Sequence, residues 1–320
     1  MVYRSGAILR TLMVLCQLFL SWQRRNYEAV KMIRKLGFYP GCVMSAEQYA
    51  YEMSIREVLP DLGVELVDLE NTSCCGAPLR SVNLLMQMYL SARNIAVCEE
   101  KGLDMFVPCA LGHLSLVETK NRLNSSKELR EKIVKKLKEN EGLEYRGDLE
   151  IYHTVDLLHD VIGVERIKEK VSNPVKWKIA CHYGCHTIRY TEAGRPDAAE
   201  HPSKMEEIIK AIGGETWNYS EKLNCCGAPL MVTHKEAALT KTGEKLKAVV
   251  DRGFDALAIV CPYGGRMMDG KQEKAGATIG EELGLPVFYL TQLIGLAMGK
   301  DPRKLGLNLN LSSVDSLLKR

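Results

Sequence analysis

The pentapeptide Cys-Cys-Gly-Ala-Pro is written twice in this chain, at Cys74–Pro78 and again at Cys225–Pro229. Adjacent cysteines do not readily bridge each other, because a disulfide needs its two Cβ atoms to face one another. Two identical copies of so unusual a word point to an internal duplication in which each half builds a thiolate site. That constrains the fold: whatever surrounds the first word must be repeated around the second.

The chain has 320 residues, 46% hydrophobic and 26% charged, with a net charge of +3. This is the profile of a globular protein with a sizeable core. The small positive excess, with no basic block interleaved with aromatics, does not point to nucleic acid. Eleven cysteines are present, at 16, 42, 74, 75, 98, 109, 181, 185, 225, 226 and 261. An odd count in a chain of this length does not fit a secreted disulfide framework and suits metal or redox chemistry inside a cell. A cytoplasmic location follows as the expectation.

Residues 7–22 form an apolar run interrupted by Arg10. It is shorter than the ~20 residues of a membrane-spanning helix. With Met32 just ahead of the first patterned strand, residues 1–31 read as an accessory extension; a membrane anchor is the less favoured reading.

Aligning the two words gives two halves, 32–150 and 151–299, with a tail at 300–320 of little periodic pattern and expected to be loosely held. In the first half, strands are predicted at 36–39, 64–69 and 105–107, with helices at 45–59 and 81–101. In the second, strands fall at 177–180, 216–219 and 256–260, with helices at 202–212 and 234–252; a strand at 287–290 and a helix at 291–299 close it. A Lys/Glu-rich helix at 126–142 reads as a solvated face, and 143–176 joins the halves with a helix near 154–162. Short apolar runs alternating with helices predict an α/β protein: two Rossmann-like parallel-sheet halves related by duplication. Cys42, Cys109, Cys185 and Cys261 fall at or just past predicted strand ends, and the cysteine pairs in the turns that follow strands. Ligands collect at the carboxyl ends of such strands.

The spacings repeat. Thirty-one residues separate Cys42 from Cys74 and 33 separate Cys75 from Cys109; 39 separate Cys185 from Cys225 and 34 separate Cys226 from Cys261. Zinc fingers and ferredoxins are much tighter. Gly76 and Gly227 would let backbone pass close to a bulky group, and Ser73 and Asn224 are read as caps of the helices that follow. Cys16 and Cys98 read as small apolar residues. His153, His159, His201 and His234 carry no signal.

This duplicated pattern resembles the cysteine-rich CCG domain family. His182-Tyr183-Gly184-Cys185-His186 with Arg189, and Cys261-Pro262-Tyr263 with Met268-Asp269 and Gln272, resemble the B-type chain of heterodisulfide reductase. The resemblance spans about 34–299. It implies an iron–sulfur electron-transfer subunit that helps cleave the disulfide between coenzyme M and coenzyme B. Its implied partners are a subunit with ferredoxin-like cubane clusters and a flavin-carrying subunit; neither nucleic acid nor membrane is expected as a partner.

The family closes each half with Cys-x-x-Cys, whereas here Cys109 is followed at the third place by Gly112 and Cys261 by Gly264. Four thiols remain in each half: Cys42, Cys74, Cys75 and Cys109, then Cys185, Cys225, Cys226 and Cys261. One cluster per half is implied, a [4Fe–4S] cubane or the family's non-cubane form. His113 in the first half, and Cys181, His182 or His186 in the second, are the candidate replacement ligands or hydrogen-bonding neighbours. Two other readings stay open: an electron-transfer subunit of a related oxidoreductase that no longer reduces disulfides, and a structural zinc module. No triad, P-loop or G-x-G-x-x-G competes.

Overall fold

The computed structural model describes residues 34–189 and 194–319; the extension 1–31 and Cys16 lie outside them. Seven short parallel strands form two sheets. In the first, β1 (Arg34–Phe38) lies between β2 (Val64–Asp68) and β3 (Asp104–Phe106), with β4 (Ile151–Tyr152) beyond β3, giving the order β2-β1-β3-β4. In the second, the order is β5 (Ile179–His182), β6 (Ala256–Ile259), β7 (Val287–Tyr289). A single parallel bridge, Lys178 to Glu215, stands where β2 stands in the first half. The two sheets therefore repeat one topology, and the fold is the expected pair of parallel α/β halves.

The predicted strand at 216–219 is reduced to that bridge. Trp217 stacks instead on Phe254 at 4.1 Å, and Tyr219 sends its hydroxyl to the Cys181 carbonyl. Strand β4 falls in the stretch expected only to join the halves. It is two residues long and pairs with β3, with Met105 opposite Ile151 and Phe106 opposite Tyr152.

The helix expected at 45–59 is two helices, Gly41–Glu47 and Tyr49–Val58. The helix near 154–162 is a turn of α-helix that passes into a π-helical segment, Leu157–Gly163. The charged helix spans Lys127–Glu141, capped by Ser126 and ended by Gly142 in the left-handed region. The tail is not loose. Leu305, Leu307, Val314 and Leu317 are buried. Asn310 donates to the Val287 carbonyl and Ser312 accepts from the Val287 amide, so the tail covers the open edge of β7, as exposed strand edges require.

The halves exchange helices. Helix Leu290–Ala297, which follows β7, packs on Tyr49–Val58 of the first half. There Ser54 and Thr291 share a hydrogen bond of 2.6 Å and the rings of Tyr51 and Tyr289 stack at 4.0 Å. Reciprocally, the helical stretch after β4 packs on Lys204–Ala211 of the second half, through His159–Glu207 and Lys204–Asp160 pairs. One hydrophobic cluster consequently runs through both halves, from Leu36, Phe38 and Ile55 to Ile179, Phe288 and Leu293.

A buried polar network braces β5. Glu206 takes Lys222 at 2.8 Å and the Tyr183 hydroxyl at 2.7 Å, while Lys222 also donates to the Pro202 carbonyl. Both charged side chains are about nine-tenths buried. Removing one partner of such a pair strands the other charge. Lys222→Met is expected to cost about 3–5 kcal/mol, and the double variant Lys222→Met/Glu206→Leu less than either single change, as read from denaturant unfolding.

Candidate iron–sulfur site

The eight thiols lie at the carboxyl ends of the strands, and helix starts present half of them. Cys42 is in the first turn of Gly41–Glu47 and Cys185 opens Cys185–Ile188. Cys109 and Cys261 are the N-cap residues of Ala110–Ser125 and Pro262–Gly264. Exposed amides and the positive end of the dipole at a helix start favour thiolate. The cysteine pairs sit in turns between strand and helix, as expected. Each is followed by a 3-10 turn, Ala77–Leu79 or Ala228–Leu230, before the long helix begins at Leu84 or Lys235. The caps are elsewhere. Asn83 caps the first long helix by accepting from the Met86 amide, whereas Ser73 hydrogen-bonds Asn94, and His234 rather than Asn224 precedes the second helix.

Within each half three thiols form a chain. Cys74 is hydrogen-bonded to Cys75 and to Cys42; Cys225 is hydrogen-bonded to Cys185 and to Cys226. The middle sulfur is held ionised: Cys75, with help from the Gly76 amide, lowers Cys74 to about 6, and Cys185 with Cys226 lowers Cys225 to about 2. The Gly76 and Gly227 amides reach those sulfurs at 3.4 Å. The flanking thiols are pushed up, Cys42 mainly by burial and Cys75, Cys185 and Cys226 mainly as donors to the middle sulfur.

The fourth thiols join the two sets. Cys109 and Cys261 stand next to each other, and Cys109 lowers Cys261 to about 7. Cys109 also feels the charge of Cys75, and Cys261 lies within reach of Cys185 and Cys226. Tyr39 faces all four thiols of the first set, with its hydroxyl tied to the Ser73 carbonyl at 2.7 Å. Tyr263, from the second half, leans over the first set.

The four supplementary candidates separate clearly. Cys181 is buried on the far side of β5, with Glu206 and Lys222 as its charged neighbours and Thr216 4.0 Å from its sulfur. His113 is buried, donates from Nε2 to the Ile151 carbonyl, and packs edge-on to His153 at 5.6 Å. His186 stands with Nδ1 3.7 Å from the Cys185 sulfur. His182 is 1% exposed, lies within the field of Cys225, and neither ring nitrogen has a hydrogen-bond partner among the described residues. Cys98 packs against the backbone of Gly37 and donates to the Leu103 carbonyl, a structural thiol.

Gly112 and Gly264 do not hold positive φ, so no backbone demand selects glycine there. A Cβ at Gly112 would meet Cys109 at 3.6 Å and Tyr39 at 3.8 Å; one at Gly264 would meet His182 at 3.8 Å. Both are ordinary contacts, so each glycine leaves room for one small side chain beside the thiols.

The donor set fits a thiolate-held cluster: four convergent sulfurs per half, amide hydrogen bonds to sulfur, and backbone free to approach at the glycines. Among the described residues no three His, Cys, Asp or Glu side chains are set to hold a single ion. A tetrahedral zinc would draw its ligands to about 2.3 Å from one centre, whereas an iron–sulfur core stands between its thiolates. No helix among the described residues is long and apolar enough to cross a membrane. The turns after the cysteine pairs each carry an exposed valine, Val82 and Val232.

The cysteine-rich domain model known as CCG matches twice, at residues 36–117 and 179–269. The chain is 30% identical over 290 residues to the B-type chain of the ferredoxin/F420H2-dependent CoB-CoM heterodisulfide reductase of Methanosarcina acetivorans, covering 89% of this chain and 96% of that one. It is equally 30% identical to the 8-methylmenaquinol:fumarate reductase membrane anchor subunit of Wolinella succinogenes, over 89% of this chain and all of that one. Among solved structures, a hypothetical protein from Helicobacter pylori superposes with a TM-score of 0.71 at 16% identity. That match covers 92% of this chain but 58% of the other, and it speaks for the fold alone. Twin topology, twin thiol sets and twin domain matches agree: the chain belongs to the cysteine-rich CCG domain family, and within it to the group of heterodisulfide reductase B-type chains.

Proposed function

We propose that this chain is the iron–sulfur subunit of a heterodisulfide-reductase-like complex in the cytoplasm. One cluster per half would be held by Cys42, Cys74, Cys75 and Cys109 and by Cys185, Cys225, Cys226 and Cys261. Bound there, iron–sulfur clusters supply one-electron transfer to a disulfide substrate of the CoM-S-S-CoB type. The observation that carries the reading is the approach of Cys109 to Cys261, close enough that each sulfur shifts the other's ionisation: it sets the two ligand sets side by side, as a site that gathers two electrons requires.

The chain's own residues do the rest. The Gly76 and Gly227 amides offset negative charge on sulfur, and Tyr39 and Tyr263 stand beside the first set. The apolar turns at Val82 and Val232 suit contact with partner subunits, of the ferredoxin-like cubane and flavin types. A second reading has its own support. Glycine at 112 and 264, with the fumarate reductase relative, favours an electron-transfer subunit of a related complex that does not itself reduce disulfides.

Anaerobically purified chain is expected to contain about eight irons, two clusters of four, with matching acid-labile sulfide and absorption around 400 nm. Colourless protein without sulfide, or protein carrying only zinc, would overturn the iron–sulfur reading. Turnover of a heterodisulfide by the intact complex separates the first reading from the second.

A further inference from the structure

At the heart of the site the two halves differ in one telling side chain. The residue three places before the first cysteine is Tyr39 in the first half and His182 in the second. Each lies against the glycine that replaces the family's last cysteine, at the same distance: 3.8 Å from a Cβ at Gly112 to the Tyr39 ring, 3.8 Å from a Cβ at Gly264 to the His182 ring. The tyrosine is spoken for, since its hydroxyl donates to the Ser73 carbonyl. The histidine is not: both of its ring nitrogens are buried with no partner among the described residues. A buried imidazole left wholly unpaired calls for an explanation.

We infer that His182 is a ligand of the second half's cluster, occupying the place that Gly264 leaves open, while the first half is ligated by thiolates alone. This rests on the reading that each half holds a cluster. The inference accounts for three observations together. It gives one of the orphaned nitrogens a partner, it explains why room is kept at Gly264, and it uses the side of β5 that faces Cys225 rather than the side that carries Cys181. Burial keeps the ring neutral, the form whose lone pair binds metal.

The consequence is inequality between the halves. Each half keeps four thiolates, so the sites differ in ligand number rather than in thiolate charge: the second adds a neutral imidazole that the first lacks, and the two clusters are expected to differ in spectrum and midpoint potential.

The test uses the full chain, purified anaerobically, with histidine labelled by nitrogen-15 and the clusters examined by pulsed electron paramagnetic resonance. Wild type is expected to show a nitrogen coupling of the size given by directly bound imidazole. The coupling should vanish in His182→Ala. It should vanish also in Gly264→Cys, where a thiolate is offered to the same space with His182 intact. His182→Cys is expected to keep the iron and lower the midpoint potential of one cluster while leaving the other unmoved. Iron at the wild-type level with no such coupling, or a coupling that survives both substitutions, would sink the inference. Loss of the coupling in His186→Ala would assign the nitrogen to the neighbouring histidine and overturn it equally. Protein with no iron at all would instead overturn the proposed function on which it stands.

Discussion

Serine in place of Cys226 is expected to strip the second half of its iron while the first keeps its own, so that iron per chain falls by about half. Cys226 is 8% exposed and sits between Cys225 and the Cys261 seam. A serine hydroxyl, far less acidic than a thiol, is a poor ligand for iron there. The same change at Cys109 should reach further. Its sulfur serves the first half and neighbours Cys261 of the second, so both sets should be disturbed and iron should fall by more than half. Iron and sulfide analysis of the purified variants checks both. Undiminished iron in Cys226→Ser would show that the ligand set is wrong.

Alanine in place of Gly227 should destabilise the fold itself, whether or not iron is bound. Gly227 has φ of +85°, and a Cβ there would drive into the Ala238 backbone, with Cα only 3.1 Å away. Gly76 repeats the conflict, at φ +80° and 2.8 Å from Gln87 Cα. Left-handed strain and overpacking each cost about 1–3 kcal/mol, so a loss of about 3 kcal/mol is expected. That corresponds to a fall in Tm of about 4–5 °C for a chain of this size. Gly264→Ala is the control, because its φ is ordinary and its nearest neighbour stands at 3.8 Å; its effect should stay within about 0.5 kcal/mol. Thermal unfolding of the metal-free chains decides. Equal shifts at 227 and 264 would refute the steric account.

These two expectations also mark what is legible in the letters alone. The repeated word locates both turns, and counting outward from it identifies all eight thiols that the fold gathers. That works because a parallel strand followed by a helix places its ligand at a predictable point, the strand's carboxyl end. Beyond the reach of pattern are features too short to have a period. Strand β4 is two residues long, and the bridge at Glu215 is one. Ser73 and Asn224 have the chemistry of caps but not the place, because the 3-10 turns that follow the cysteine pairs delay the long helices by several residues. The tail shows no period because it is held by hydrogen bonds to a strand edge rather than by an amphipathic face. Among the supplementary candidates, spacing does not separate Cys181 from His182. Alternation along β5 does so, since neighbouring side chains on a strand point to opposite faces.

The helix exchange between the halves has a consequence for how the molecule could be taken apart. A chain cut between the sheets would yield two pieces, each carrying the helix that covers its neighbour's first helix and lacking the one that covers its own. Alone, each would bare the apolar surface around Tyr51 and Ile55, or around Ile208 and Ile209. Mixed, they supply what the other lacks, so separately expressed fragments ending and beginning near residue 172 are natural candidates for complementation. The covalent link between them is then a matter of stoichiometry, and it guarantees that every first half meets a second half rather than a copy of itself.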